Sequence, residues 1–194
     1  MVTNNVDTAR ADVVAVLDGR LEAMRAKDID RAMSFYSPDI VYFDIIPPHQ
    51  FVGADAVRRN FLRWFAEYQG DIELDTRDLS IAVSGDVAFA HMLHPDSGTR
   101  RNGRDVTVVV RSTVCLRRID GQWLITHEHI SFPINPGDWS AVVDAAPLGW
   151  PSRPPAFSRA RQPVGSARRR AHRCSRPWRR AGPRHVRAPR PRPP

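Results

Sequence analysis

Cysteine is nearly absent from this 194-residue chain, with only Cys115 and Cys174 present. Two thiols, the first inside an apolar run, do not make the disulfide framework of a small secreted domain. No stretch approaches the roughly 20 consecutive apolar residues that a membrane helix needs. The opening residues, MVTNNVDTARAD, lack both the basic start and the apolar core of a secretory leader. There is no glycine-rich phosphate loop and no nucleophile elbow, so no cofactor is implied. These absences make a soluble cytoplasmic protein the default expectation, with no membrane partner.

Acid is missing from one end only. Residues 151–194 carry 14 arginines, 10 of the 17 prolines and not one Asp or Glu. The first 150 residues carry 15 basic and 21 acidic side chains, a net of −6. The overall charge of +8 therefore describes the last segment, and a nucleic-acid binder along its whole length is excluded. After Phe157 that segment has only Val164, Trp178 and Val186 as sizeable apolar groups, so 151–194 is expected to be a disordered tail. One reading makes it an arm that neutralises phosphates, with Trp178 and His172 stacking on bases. The other makes it an unselected extension, because its Arg, Pro, Ala, Gly and Ser look like G+C-rich DNA translated in an unselected frame. Composition favours the second, and nucleic acid is a partner only if the tail is functional.

What is present before residue 150 is periodicity. From Thr8 to Lys27, Val13, Leu17, Leu21 and Met24 recur every three or four residues, which predicts an amphipathic helix. Asp28 is placed to cap a second, short helix burying Ile29, Met33 and Tyr36, which Pro38 stops. Residues 40–46 are a β-rich run closed by Pro47-Pro48. Gly53 precedes a third helix with Ala54, Val57, Phe61, Trp64 or Phe65, and Tyr68 on its apolar face. Strands are expected near 71–82, 86–94, 104–118 and 122–133, with Ser84-Gly85-Asp86 and Asp120-Gly121 as turns. The pattern predicts an α+β fold, a curved antiparallel sheet wrapped as a cone around three N-terminal helices. Such a cone leaves an apolar cavity with a few polar groups, the usual setting of a small-molecule site.

Two segments resemble a known superfamily. Tyr36-Ser37-Pro38-Asp39-Ile40-Val41-Tyr42-Phe43-Asp44, then Gly53 and a helix, is similar to the first half of nuclear-transport-factor-2-like proteins. These include ketosteroid isomerase, the SnoaL polyketide cyclases and limonene epoxide hydrolase. Arg111-Ser112-Thr113-Val114-Cys115-Leu116, followed by Asp120-Gly121-Gln122-Trp123 and by His127-Glu128-His129-Ile130-Ser131, resembles SnoaL-like proteins with Trp, His-x-His and Ser on the last strand. The association domain of calmodulin-dependent protein kinase shares that signature. The resemblance implies a SnoaL-like domain over 8–140, a C-terminal strap over 141–150 and the tail over 151–194. In the strap region Trp139 and Trp150 are expected to tuck against the body. The superfold hosts enzymes, binding modules and oligomerisation hubs, so it does not name a reaction.

Asp44 leads the candidates for chemistry. A carboxylate inside an apolar β run is costly to ionise, so its pKa should rise, which suits a general base. By resemblance it matches the proton-shuttling aspartate of ketosteroid isomerase, and a structural pairing with an arginine is the competing reading. The isomerase's oxyanion-hole residues fall at Arg20 and Thr113 here, which are not a neutral donor pair, so steroid isomerisation by that route is not implied. The hydrolase's Asp-Arg-Asp set is not clearly reproduced either. Strand parity, started from Thr113 and Cys115 facing the cavity, also puts Arg111, Phe89, His91 and Leu93 inward. On the last strand the resemblance puts Thr126, Glu128 and Ile130 inward, with Trp123, Ile125, His127 and His129 opposite. The expected catalytic set is then Asp44, His91, Arg111 and Glu128. The expected substrate-binding residues are Tyr36, Tyr42, Phe61, Phe89, Thr113 and Cys115. A buried Arg111–Glu128 pair with only a structural role fits the same parity, and a bulge in either strand inverts it. His127 and His129 share a face but lack the further ligands of a metal site, so no metal is expected. Trp123 and Ile125 on an outer face imply a homodimer. The function that follows is binding of a hydrophobic, oxygenated small molecule. Asp44 would serve as base in an isomerase, cyclase or hydratase-type step. The alternatives are a non-catalytic ligand-binding or dimerisation module, and nucleic-acid binding through the tail.

Overall fold

The computed structural model describes residues 2–143, so the expected tail and Trp150 lie outside the described residues. Helix α1 (Val2–Arg25) buries Val13, Leu17, Leu21 and Met24, the stripe that their spacing predicts. Lys27 then takes a positive φ of 52° and ends it. Asp28 caps α2 (Ile29–Met33) by accepting from the Arg31 N–H at 3.0 Å. Tyr36 is not in this helix, because Ser34 already caps its C-terminus. Instead Tyr36 opens strand β1 (Tyr36–Phe43). Pro38 has no N–H to give a ladder, and β1 carries it where the pairing is irregular, between Tyr36 and Val41.

Strand β2 (Phe51–Val52) folds back on β1. Gly53 leads into helix α3 (Ala54–Ala66) with φ 83° and ψ 153°, a region essentially closed to residues with a Cβ. Its N–H donates to Ile40 O at 2.8 Å, which fixes where α3 leaves the sheet. Helix α3 buries Val57, Phe61 and Phe65, and with them the polar Asn60.

Five strands follow: β3 (Tyr68–Leu74), β4 (Arg77–Ser84), β5 (Val87–Arg100), β6 (Asp105–Ile119) and β7 (Gln122–Ser131). Asp120 and Gly121 both have positive φ, 49° and 82°, as a two-residue type I′ turn requires. The stretch expected as one strand over 71–82 is two. Asp75 accepts from the N–H of Thr76 at 2.9 Å and Asp78 has a φ of 53°, so the run breaks there. Strand β4 pairs with the first half of β5, and β3 with the second. Strand β5 is correspondingly longer than expected and runs on through Pro95 to Arg100.

The sheet order is β2-β1-β7-β6-β5-β3, with β4 also on β5. Strands β1 and β7 pair in parallel, so the sheet is mixed and not wholly antiparallel. The helices lie on one side of it, α1 against β3, β4 and β7, and α3 against β1 and β3. This is the α+β cone that the element pattern predicts. Beyond β7, Val142 N bonds to Pro133 O and Val109 N to Val143 O, which ties residues 133–143 back to the sheet. Trp139 is not tucked in as expected: it is 77% exposed at the tip of this segment. Among the described residues no helix is long and apolar enough to cross a membrane.

Candidate functional site

Residues opposite one another in a ladder share a face of the sheet, so the register settles which side chains meet. His91 opposes Thr113, Thr113 opposes His129, and His129 opposes Phe43. The neighbouring row is Ala90, Val114, Glu128 and Tyr42, and all four are buried under the helices. The first row, together with Phe89, Arg111 and Cys115, is therefore on the face away from the helices. This corrects the inward placement of Phe89, His91, Leu93, Arg111, Thr113 and Cys115. Phe89 is half exposed, and Arg111 reaches out to Phe132 O at 2.8 Å. The expected parity began one residue out of step, and the error passed through the ladder to every residue of β5 and β6.

Strand β7 has the bulge that lets both of its halves bury apolar residues. Cys115 opposes His127 while Leu116 opposes Ile125, which leaves Thr126 as an extra residue bonded to Cys115 O at 3.3 Å. Glu128 and Ile130 face the helices, and His127 and His129 face away. Trp123 and Ile125, expected outside, are buried within the protomer. Among the described residues no group of three or more His, Cys, Asp or Glu side chains is placed to hold a metal ion.

Under the helices is a cavity of about 280 Å³. Its apolar wall includes Leu21 and Met24 of α1, Phe61 and Trp64 of α3, Leu74 of β3 and Ile130 of β7. Asp44, Tyr42, Phe61 and Glu128 of the expected set line it, and Tyr36 stands behind Glu128. Sequence reasoning missed Asn60, Arg63, His94 and Asp96, which also line it, and set Arg20 aside. Each had a signal. Arg20 lies three residues after Leu17 and four before Met24, on the apolar stripe itself. His94 and Asp96 continue the alternation of Ala88, Ala90 and Met92 past Pro95.

One polar network is built around Glu128, which is 1% exposed. Arg20 Nη1 donates to both of its carboxylate oxygens, at 2.7 and 3.0 Å. The Tyr36 hydroxyl donates to Oε2 at 2.7 Å and Ser112 to Oε1 at 3.3 Å. Burial works against the charge of Arg20, but Glu128 and Tyr36 outweigh it and raise its pKa. His94 Nδ1 is 2.9 Å from Asp75 O, an atom that can only accept, so Nδ1 carries the proton. Nε2 then accepts from Arg20 Nη2 at 3.4 Å. Burial, with Arg20 adding to it, lowers the pKa of His94 to about 4 and keeps the ring neutral.

The second polar group is Asp44, just beyond β1. Its Oδ2 accepts from Asn60 Nδ2 at 2.5 Å and its Oδ1 from the Ile45 N–H at 2.6 Å. Arg63 donates to Asn60 Oδ1 at 2.8 Å, so Asn60 is turned with its amide donor towards the carboxylate. Burial still wins over these donors, and the pKa of Asp44 is raised. A half-buried carboxylate with a raised pKa at the edge of an apolar cavity can accept a proton from a bound molecule. Burial also pushes the nearby Tyr42 phenol well above its ordinary range, so it stays an O–H donor.

Known proteins share this arrangement of helices and sheet. An NTF2-like protein of unknown function from Pseudomonas putida KT2440 is 28% identical, with a TM-score of 0.67 over 73% of this chain and 98% of its own. A ketosteroid isomerase-like protein from Erwinia carotovora atroseptica is 22% identical, with a TM-score of 0.55 over 62% of this chain and 93% of its own. The association domain of C. elegans CaMKII is 18% identical, with a TM-score of 0.54 over 66% of this chain and 98% of its own. At those identities the last two share the fold alone. Among curated protein sequences, none matches this chain. The family model of the SnoaL-like domain matches residues 13–135, which takes in the second half of α1, all of α3, the Asp44 loop and the whole sheet. The chain belongs to the SnoaL-like family.

Proposed function

We propose that the cavity binds a hydrophobic, oxygenated small molecule and that Asp44 acts on it as a general base, in an isomerisation, cyclisation or hydration step. The observation that carries this is the Asp44 carboxylate. Burial raises its affinity for a proton, Asn60 aims it, and it lies on an apolar cavity of ligand size. His91 and Arg111 of the expected catalytic set are on the outer face. Charge that develops on the bound molecule would therefore be stabilised by donors on the inner face, of which Tyr42 is the one beside Asp44. Arg20 is committed to Glu128 and serves to position the wall.

The test is a thermal-shift panel of steroid-like, aromatic polyketide and terpenoid compounds, followed by turnover assays on any that bind. A ligand at about 100 times its dissociation constant adds about 2.7 kcal/mol of stability. Asp44→Asn keeps the size and the hydrogen-bonding position but cannot take a proton. It is expected to keep the shift and lose turnover by roughly a hundredfold or more. Full turnover in Asp44→Asn would sink the catalytic reading.

A second reading, association of two copies through the outer face of the sheet, has its own observation. Trp123 and Ile125 cannot supply that interface because they are buried, but Phe43, Val87 and Phe89 are exposed on strands. Phe43 packs edge-on against His127 and His129, at 4.8 and 5.7 Å between ring centres. Contiguous exposed rings of this kind mark association surfaces. Sedimentation equilibrium is expected to show a dimer that Phe89→Asp converts to monomer. A wild-type monomer at all accessible concentrations would remove this reading.

A further inference from the structure

We infer that Asp96 is a proton-bearing carboxyl group that donates a hydrogen bond to an acceptor oxygen of the bound molecule, and that the cavity therefore selects an uncharged ligand. The inference rests on the cavity being a small-molecule site but not on Asp44 being catalytic.

Asp96 lines the cavity from β5, opposite Val108 of β6 and Leu74 of β3. Its Oδ1 is out of contact with solvent and has no hydrogen-bond partner. An ionised carboxylate so placed would have at most one of its two oxygens solvated, which is more costly than a neutral acid. The ionisable groups that share its part of the cavity lining are Arg20 from α1, Tyr68 from β3, His94 and Arg100 on β5, and Glu67 at the end of α3. Only Arg20 favours its ionisation to any extent, and Arg20 is already committed to Glu128, Tyr36 and His94. Burial wins and pushes Asp96 up to about 8.

A neutral carboxyl group has one O–H to donate, and buried donors in folded proteins find acceptors. None is supplied by the described residues, so the acceptor comes from what fills the cavity. The other charges there are matched: Arg20 by Glu128, Arg100 by Glu67, and Arg63 by Asp44 through Asn60. With Asp96 neutral the cavity carries no net charge, and no lining arginine is left over for an anionic ligand.

The test uses the full chain and the bicyclic ketone 2-tetralone, with the hydrocarbon tetralin as the probe lacking oxygen. Binding is read by calorimetry. Wild type is expected to bind 2-tetralone at about pH 6 and tetralin far more weakly. Binding should be about tenfold weaker at about pH 9, because one unit above its pKa only about a tenth of Asp96 keeps its proton. Asp96→Asn keeps a donor and cannot ionise, so its affinity should be flat across that range, while Asp96→Leu should lose the preference for the ketone.

A ligand-free readout stands beside it. With its folded pKa raised, Asp96 makes the protein less stable as pH climbs from its unfolded pKa towards about 8, because the unfolded chain sheds the proton first. Neutral His94 gives the opposite slope, but only between about 4 and its ordinary 6.5. The melting temperature of Asp96→Asn should therefore equal that of wild type near pH 4 and rise above it steadily up to about pH 8. No binding of 2-tetralone by wild type, binding indifferent to pH, or melting temperatures that do not diverge would each overturn the proposal. Loss of the Asp44 reading would leave all three results as they are.

Discussion

Arg20→Met is expected to destabilise the protein by about 3–5 kcal/mol, because it leaves the Glu128 carboxylate buried without its cation. Glu128 is fixed at the centre of the sheet by three donors from three elements, Arg20 from α1, Tyr36 from β1 and Ser112 from β6. Methionine fills the space of the arginine stem but offers Glu128 nothing. The single change therefore measures the cost of an orphaned charge and not the net worth of the pair. Glu128→Leu alone should cost a similar amount by stranding Arg20. The double variant Arg20→Met/Glu128→Leu should recover most of that loss, since neither charge then has to leave water. Urea denaturation of the four proteins gives the coupling directly. Strictly additive losses would show that the two side chains do not depend on each other, contrary to the 2.7 Å contact between them.

That network also shows where sequence reading succeeds. Local signals were legible: the stripe of α1, the Asp28 cap and the Asp120-Gly121 turn each depend on neighbours in the chain, and each is where its pattern puts it. Asp44 was found because a carboxylate in a β-rich apolar run is anomalous in sequence. The parity of β5 and β6 was not found, although a signal existed. Arg111, Thr113, Cys115 and Arg117 alternate with Val110, Ser112, Val114 and Leu116, and the series holding two arginines is the one that faces away from the helices. Starting from an assumed inward Thr113 overrode that contrast. The extra residue at Thr126 depends on pairing between distant strands, which no local pattern carries. The break after Leu74, in contrast, had a local signal in the Asp75 and Asp78 side chains that the reading of one strand over 71–82 passed over. Arg20 was passed over because a charge on an apolar stripe reads as an interruption until its partner, 108 residues away, is known.

Phe61→Ala is the second large effect, at about 3–5 kcal/mol, and it connects the core to the cavity. Phe61 is 5% exposed on α3, and its ring lies 5.6 Å from that of Tyr36 and 5.5 Å from that of Tyr42, edge-on to the latter. Truncation removes a buried ring, leaves a cavity that the rigid sheet cannot fill, and forfeits about 0.5–1.5 kcal/mol for each aromatic pair. The adjacent Leu62 is 44% exposed on the same helix and is the control, since Leu62→Ala should stay within about 0.5 kcal/mol of wild type. Phe61→Leu should fall between them. The loss reaches beyond packing, because Tyr36 holds Glu128 through its hydroxyl and Tyr42 lines the cavity beside Asp44. Phe61→Ala combined with Tyr36→Phe should therefore cost less than the sum of the two singles, since the hydroxyl bond to Glu128 that Phe61 holds in place is already gone. Denaturation of these variants and their cycle measures it. A Phe61→Ala cost no larger than that of Leu62→Ala would mean that α3 does not brace the polar wall of the cavity.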